Sequence, residues 1–155
     1  MKLIVAAVGA PRDAALAAAI REYETRAARY WPLEVREAKA GAARGQAPDL
    51  ARAKEGERLL ALLPPAAHVV ACDVGGTAMS SEEFAAWLQR VRERAGPDLV
   101  FLIGGAFGLS DAVRARATRR LSLAPWTLPH ELARLVLAEQ LYRAGTILRG
   151  EPYHK

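Results

Sequence analysis

Short apolar runs of strand length, alternating with longer segments of helical period, restrict this chain more than any other feature. LIVAAVG (3–9) reads as a buried strand, and an amphipathic segment follows from Asp13 to about Tyr30. LEVREAKA (33–40) alternates like a half-exposed edge strand, and GAARGQAP (41–48) is a turn rich in small and breaker residues. Asp49 is placed to cap a helix running to Leu63, which Pro64 and Pro65 end. HVVACDV (68–74) is a third strand, and Gly75-Gly76-Thr77 a loop. Ser80 with Glu83 three residues on forms a capping box, which opens a helix to about Arg94. DLVFLIGG (98–105) is the fourth strand, Asp111 to Arg120 a short basic helix, and LSLAP (121–125) a short fifth strand. Thr127-Leu128-Pro129 then starts a long helix to about Leu148, with Pro129 suited to its first turn.

This order predicts an α/β fold: a mostly parallel sheet with helices on both faces, in one domain spanning 1–155. In such sheets ligands collect outside the carboxyl ends of the strands. Three loops meet that condition here, after Val74, after Ile103 and after Leu123.

Composition narrows the partners. No run approaches the roughly 18–20 apolar residues of a membrane span. The first apolar run, of about seven residues, is the minimum for a signal-peptide core, and Arg12 and Asp13 follow it, so a buried strand explains it better. A single cysteine, Cys72, excludes an internal disulfide and a multi-cysteine zinc site, which makes the cytoplasm the expected compartment. His68, His130 and His154 show no ligand spacing, so no metal is expected. The net charge of +5, mostly from arginine, suits a polyanion, although a GC-rich genome or a warm habitat also accounts for arginine.

FLIGGAFGLS (101–110) sends a strand into bare backbone. It lacks the lysine of a phosphate loop and the spacing of a dinucleotide fingerprint, which leaves a tight turn or a close ligand approach. In LAPWTLPHELARLVLAEQLYRAG, His130 and Arg134 share a helix face, as do Glu139 and Arg143, an order that favours an ion pair. His130 at the helix start is either a cap or a functional imidazole. Cys72, inside an apolar strand, packs as a small hydrophobe. The tail, RGEPYHK (149–155), is either frayed or a group of ring, imidazole and cations able to stack on a base and hold phosphate.

Taken together, KLIVAAVG, KEGERLL, ACDVGGTAMSSEEFA, FLIGGAFGLS and LPHELARLVLAEQLYRA…ILRGEPYHK resemble the RlmH family over nearly the whole chain. These are small SPOUT-class methyltransferases that act on a pseudouridine in 23S ribosomal RNA. The terminal block is the most specific part of the match. The resemblance implies a SPOUT α/β knot, in which the chain after the fourth strand forms a trefoil and the last helix threads through it. It implies S-adenosylmethionine as cofactor, held largely by backbone groups. By position its pocket would comprise Cys72, Gly104, Leu123, Ala124, Pro125, Trp126, Thr127 and Leu128. It further implies a homodimer with the site at the subunit interface, and ribosomal RNA or the ribosome as partner. Where that family usually carries Gly-Lys or similar after the third strand, this chain has Gly75-Gly76-Thr77, so any cation there must come from elsewhere.

Methylation at N3 of a pseudouridine requires that the ring nitrogen lose a proton, so a base or a cation that stabilises the ring anion would help. The candidates are His130, Arg134, Tyr153 and His154, with Arg134 and Arg143 also able to bind phosphate. The competing readings are a SPOUT enzyme acting on tRNA or on a ribose hydroxyl, and a non-catalytic RNA-binding domain associated with the ribosome.

Overall fold

A computed structural model describes residues 1–41 and 44–154, with His154 in its backbone alone. Part of the expected turn at 41–48 therefore lies outside the described residues, as does the side chain of His154. The described residues form β1 (Leu3–Val8), α1 (Ala14–Ala27), β2 (Leu33–Ala38), α2 (Pro48–Ala61), β3 (His68–Ala78), α3 (Ser81–Glu93), β4 (Leu99–Ile103), α4 (Asp111–Arg116), β5 (Arg119–Ser122) and α5 (His130–Leu148). A 3₁₀ turn, Pro152–His154, closes the chain. The five strands are all parallel, in the order β2-β1-β4-β3-β5.

Every residue of β1 and β4 is buried, because both faces of the sheet are covered. Leu3, Val5, Ala7, Leu99, Phe101 and Ile103 point to one face, where Leu88 of α3 and Leu137 and Leu141 of α5 pack with Ala27 of α1. The alternate residues Ile4, Ala6, Val8, Val100 and Leu102 meet Leu59 of α2 and Val113 of α4 on the other. Each buried Val, Leu, Ile or Phe among them contributes about 1.5–3 kcal/mol by leaving water. Asp13 caps α1 through Leu16 N at 2.8 Å, and the expected capping box of α3 is present in both directions. β2 is an edge strand, as its alternation predicts.

After β4 the chain passes to α4 on one face and returns as β5 at the sheet edge. It then crosses the strand ends as 123–129 and reaches α5 on the opposite face. Trp31 Nε1 donates to Leu141 O at 2.8 Å in the interior, and Gly145 lets α5 close on α1. A Cβ at Gly145 would stand 2.3 Å from the Tyr30 ring.

Three expectations are corrected. Gly75-Gly76-Thr77 belongs to β3 rather than to a loop, because β3 bulges between Cys72 and Thr77 and resumes pairing with β5. A Cβ at Gly76 would lie 2.6 Å from the Arg120 backbone, so the glycine admits the neighbouring strand. The basic helix stops at Arg116, and Arg119 and Arg120 enter β5. Asp49 sits in the first turn of α2 rather than capping it, since the helix already begins at Pro48. The bulge is pinned by Asp73, whose side chain is only 7% exposed. It accepts from Arg114 Nε at 3.0 Å, from Arg120 Nη2 at 2.7 Å and from Gly75 N at 3.3 Å. The cations beside this segment thus come from α4 and β5.

Gly145→Ala is expected to destabilise the protein by about 1–3 kcal/mol in chemical denaturation, although alanine is the better helix former. Burial alone would raise the Asp73 carboxyl, but Arg114, the Gly75 N–H and Arg120 together hold it below its ordinary value. Its stabilisation is therefore complete above the ordinary carboxylate range and is lost as pH falls through the lowered value. Asp73→Asn is expected to cost about 2 kcal/mol at neutral pH. The gap to the unmutated protein should narrow in denaturation curves taken below about pH 4.

Candidate functional site

The carboxyl ends of β1, β3 and β4, together with the start of α5, frame two adjoining depressions. The first lies between Cys72 and Asp73 of β3, the β4 loop and the 123–128 segment. Its floor is apolar, with Cys72, Ile103, Leu109, Leu123 and Leu128, and its polar side carries Asp73, Arg114 and Thr127. Seven of the eight residues expected to hold a cofactor line it: Cys72, Gly104, Leu123, Ala124, Trp126, Thr127 and Leu128. Pro125 sits in the same segment without facing the cleft. Ser122 Oγ donates to Ala124 O at 2.7 Å and fixes the start of this segment. Among the described residues, the backbone N–H groups of Ala124, Trp126, Thr127 and Leu128 find no partner within the chain. Donors left open beside an apolar floor suit a ligand with an aromatic ring and polar edges.

The glycine loop serves its own turn as well as any ligand. Gly108 N donates to Gly105 O at 3.0 Å, Gly108 has φ +79°, and a Cβ at Gly104 would fall 2.7 Å from the Gly108 carbonyl carbon. Phe107 is partly exposed and walls the second depression rather than the first.

That second depression, about 590 Å³, is bounded by Val8, Gly9, Ala10, Arg12, Ala40, Gly41, Glu55, Gly105, Ala106 and Phe107. His130, half-buried at the first position of α5, lines both. Its neighbour Glu131 accepts from the Arg12 backbone N–H, which ties the start of α5 to the loop after β1.

Arg134, one turn along from His130, faces inward instead. Its Nε reaches Glu24 at 2.8 Å and its Nη1 reaches Glu37 at 2.8 Å, so the buried guanidinium joins α5 to α1 and β2. With its donors engaged there, it touches neither depression. Tyr153 is equally remote from them in its own chain. Its hydroxyl donates to Glu139 at 3.0 Å, its ring centroid lies 4.5 Å from that of Tyr142, and the Arg143 guanidinium sits 4.9 Å above it. None of these partners lines either depression. Burial, then the bonds to Tyr23 and Glu139, push the phenol well above its ordinary range. Arg143 is held by Glu139 at 2.5 Å, the ion pair that the i,i+4 spacing predicts.

Arg12, Glu55, Asp73, Arg114 and Glu131, all charged and all at these depressions, were not singled out from sequence. Glu55 had a usable signal. It occupies the same helical stripe as Ala51 and Leu59, all three buried, so a carboxylate stands at a core position.

Comparison with known proteins identifies the family. The family described as "Predicted SPOUT methyltransferase" matches residues 1–154. A protein of Gemmatimonas aurantiaca is 61% identical over 155 residues, covering all of both chains. Proteins of Sorangium cellulosum and Geobacter metallireducens are 49% and 45% identical, over 99% of both chains in each case. All three are named ribosomal RNA large subunit methyltransferase H. With the family model matching residues 1–154 and relatives of up to 61% identity along the full length, the chain belongs to the SPOUT methyltransferase family.

Proposed function

We propose that this protein transfers a methyl group from S-adenosylmethionine to N3 of a pseudouridine in 23S large-subunit ribosomal RNA. The observation that carries the reading is the convergence of Cys72, Gly104 and the 123–128 segment on one cleft, with His130 at its edge. The cofactor fits the residues present: an apolar floor for the adenine, and open backbone donors at Ala124, Trp126, Thr127 and Leu128 for its polar atoms. Bound there, it supplies an electrophilic methyl group. The remaining work is positioning, since an in-line displacement depends on the approach of the acceptor nitrogen.

His130, shared by the two depressions, is the residue placed to receive or hold the proton of the acceptor ring. Arg134 acts as a positioning residue, fixing the first turns of α5 through Glu24 and Glu37. Tyr153, held protonated, suits donation rather than proton abstraction.

Tyr153 and the turn bearing His154 lie away from their own chain's cleft, while Val74 and Trp126 leave apolar surface exposed near its rim, Trp126 at 80%. A homodimer accounts for both features, with the second copy covering the rim and bringing its tail toward the cofactor. The net charge of +5 and Arg12 in the lining of the second depression suit an RNA partner. We read the chain as a one-domain cytoplasmic enzyme; among the described residues no helix is long and apolar enough to cross a membrane. We read the doubling back between β4 and α5 as the threaded trefoil.

Calorimetric titration with S-adenosylmethionine is expected to show binding; absence of heat would favour a non-catalytic RNA-binding domain. Mass spectrometry of RNA from a deletion strain should show one pseudouridine of 23S RNA losing its methyl group. Loss from a tRNA or a ribose hydroxyl instead would overturn the substrate assignment. His130→Ala and His154→Ala should each lower kcat/KM by about 10²–10⁴ while cofactor affinity changes little. Unchanged turnover would remove that histidine from the mechanism.

A further inference from the structure

Five polar or charged side chains are buried among the described residues: Glu55, Ser110, Ser122, Arg134 and Thr146. Ser110 accepts from Val113 N, Ser122 donates to Ala124 O, Arg134 binds two carboxylates, and Thr146 donates to Arg143 O. Glu55, 4% exposed, makes no hydrogen bond or ion pair within the described structure. An unpartnered carboxyl removed from water is among the costlier features a fold can carry. It is tolerated where it meets something else.

The surroundings are shaped for it. Glu55 lines the second depression, and bare backbone flanks it on two sides. A Cβ at Gly105 would stand 2.5 Å from Glu55 Oε2, and one at Gly41 would lie 3.4 Å from Glu55 Cγ. Burial pushes the carboxyl up, and His130 and Arg58 pull it only part of the way back. A protonated carboxyl offers one O–H donor and one C=O acceptor side by side. That pair is complementary to adjacent C=O and N–H groups on the edge of a pyrimidine ring. Gly105, Ala106 and Phe107 line the same depression, and Arg12, which lines it too, offers a cation for a phosphate.

Resting on the methyltransferase reading above, we propose that Glu55 reads the acceptor base. Its carboxyl pairs with a ring N–H and the adjacent carbonyl of a uracil-type ring, whose second ring nitrogen is presented past His130 to the cofactor cleft. This geometry selects pseudouridine over uridine. The carbon-linked ring keeps N1–H free beside the C2 carbonyl while N3 accepts the methyl group; in uridine N1 carries the sugar and has no hydrogen to donate. As N3 loses its proton, negative charge grows on the C2 carbonyl oxygen. In its protonated form, the carboxyl directs its O–H at that oxygen and stabilises the growing charge.

The test measures methyl transfer to ribosomes carrying either pseudouridine or uridine at the acceptor position, with unmutated protein, Glu55→Gln and Glu55→Met. The unmutated protein should prefer pseudouridine by about 10- to 100-fold. Glu55→Gln keeps one donor and one acceptor, so it should retain that preference with kcat/KM within about tenfold. Glu55→Met fills the space without polar atoms. It should lose at least about tenfold in kcat/KM on pseudouridine together with the preference, while its Tm does not fall and its affinity for S-adenosylmethionine is unchanged. A methionine variant that methylates pseudouridine with undiminished preference would overturn the proposal. So would one whose Tm and cofactor affinity fall along with its activity, which would mark Glu55 as structural. If the unmutated protein methylates neither substrate, the methyl-acceptor reading itself fails, and the role of Glu55 with it.

Discussion

Burial of β1 and β4 on both faces is the constraint from which the remaining architecture follows. A parallel strand with Leu, Ile, Val and Phe on alternate sides needs helices above and below, so each connection must leave one end of the sheet and return to the other. All carboxyl ends then lie along one edge, and the loops that escape core packing gather there. Cys72 and Asp73, the glycine turn, the 123–128 segment and the start of α5 meet because of this geometry and not because they are near in sequence.

The polar interior is divided between two tasks. Arg134 with Glu24 and Glu37, and Asp73 with Arg114 and Arg120, are satisfied networks that lock α5 to α1 and β2, and β3 to β5. Charges whose partners are all supplied internally rigidify a scaffold and have little left for a ligand. Glu55 is the opposite case, and the open N–H groups of the 123–128 segment belong with it. Among the described residues, Glu55 and the open N–H groups of the 123–128 segment lie at the two depressions, while Arg134 and its two carboxylates line neither.

Much of this was legible in the sequence. Periodicity identified the strands and the order of elements, and Ser80-x-x-Glu83 marked the start of a helix because the capping box is a local interaction. What escaped depended on contacts distant in the chain. Gly75 and Gly76 look like loop residues until β5 lies against them, when they become a bulge that admits a neighbouring backbone. The i,i+4 spacing put His130 and Arg134 on one helix face, but spacing cannot say that Glu24 of α1 and Glu37 of β2 draw that guanidinium inward, away from the depressions His130 lines. The eight cofactor positions came from family likeness rather than from any physical signal in the segment, whose irregular backbone has no period to read. Glu55 was visible only as one letter in KEGERLL, although its place on an apolar stripe was evidence of a kind.

Cys72 carries one further consequence. A thiolate is a stronger nucleophile than a pyrimidine nitrogen, and this sulfur lines a cleft that we read as holding an alkylating cofactor. Low-dielectric surroundings, with the Asp73 carboxylate close by, push its thiol up to about 12. The sulfur is therefore held toward its protonated, less nucleophilic form at neutral pH. The same surroundings that make Cys72 an ordinary packing residue leave it a weak nucleophile toward any alkylating ligand in that cleft.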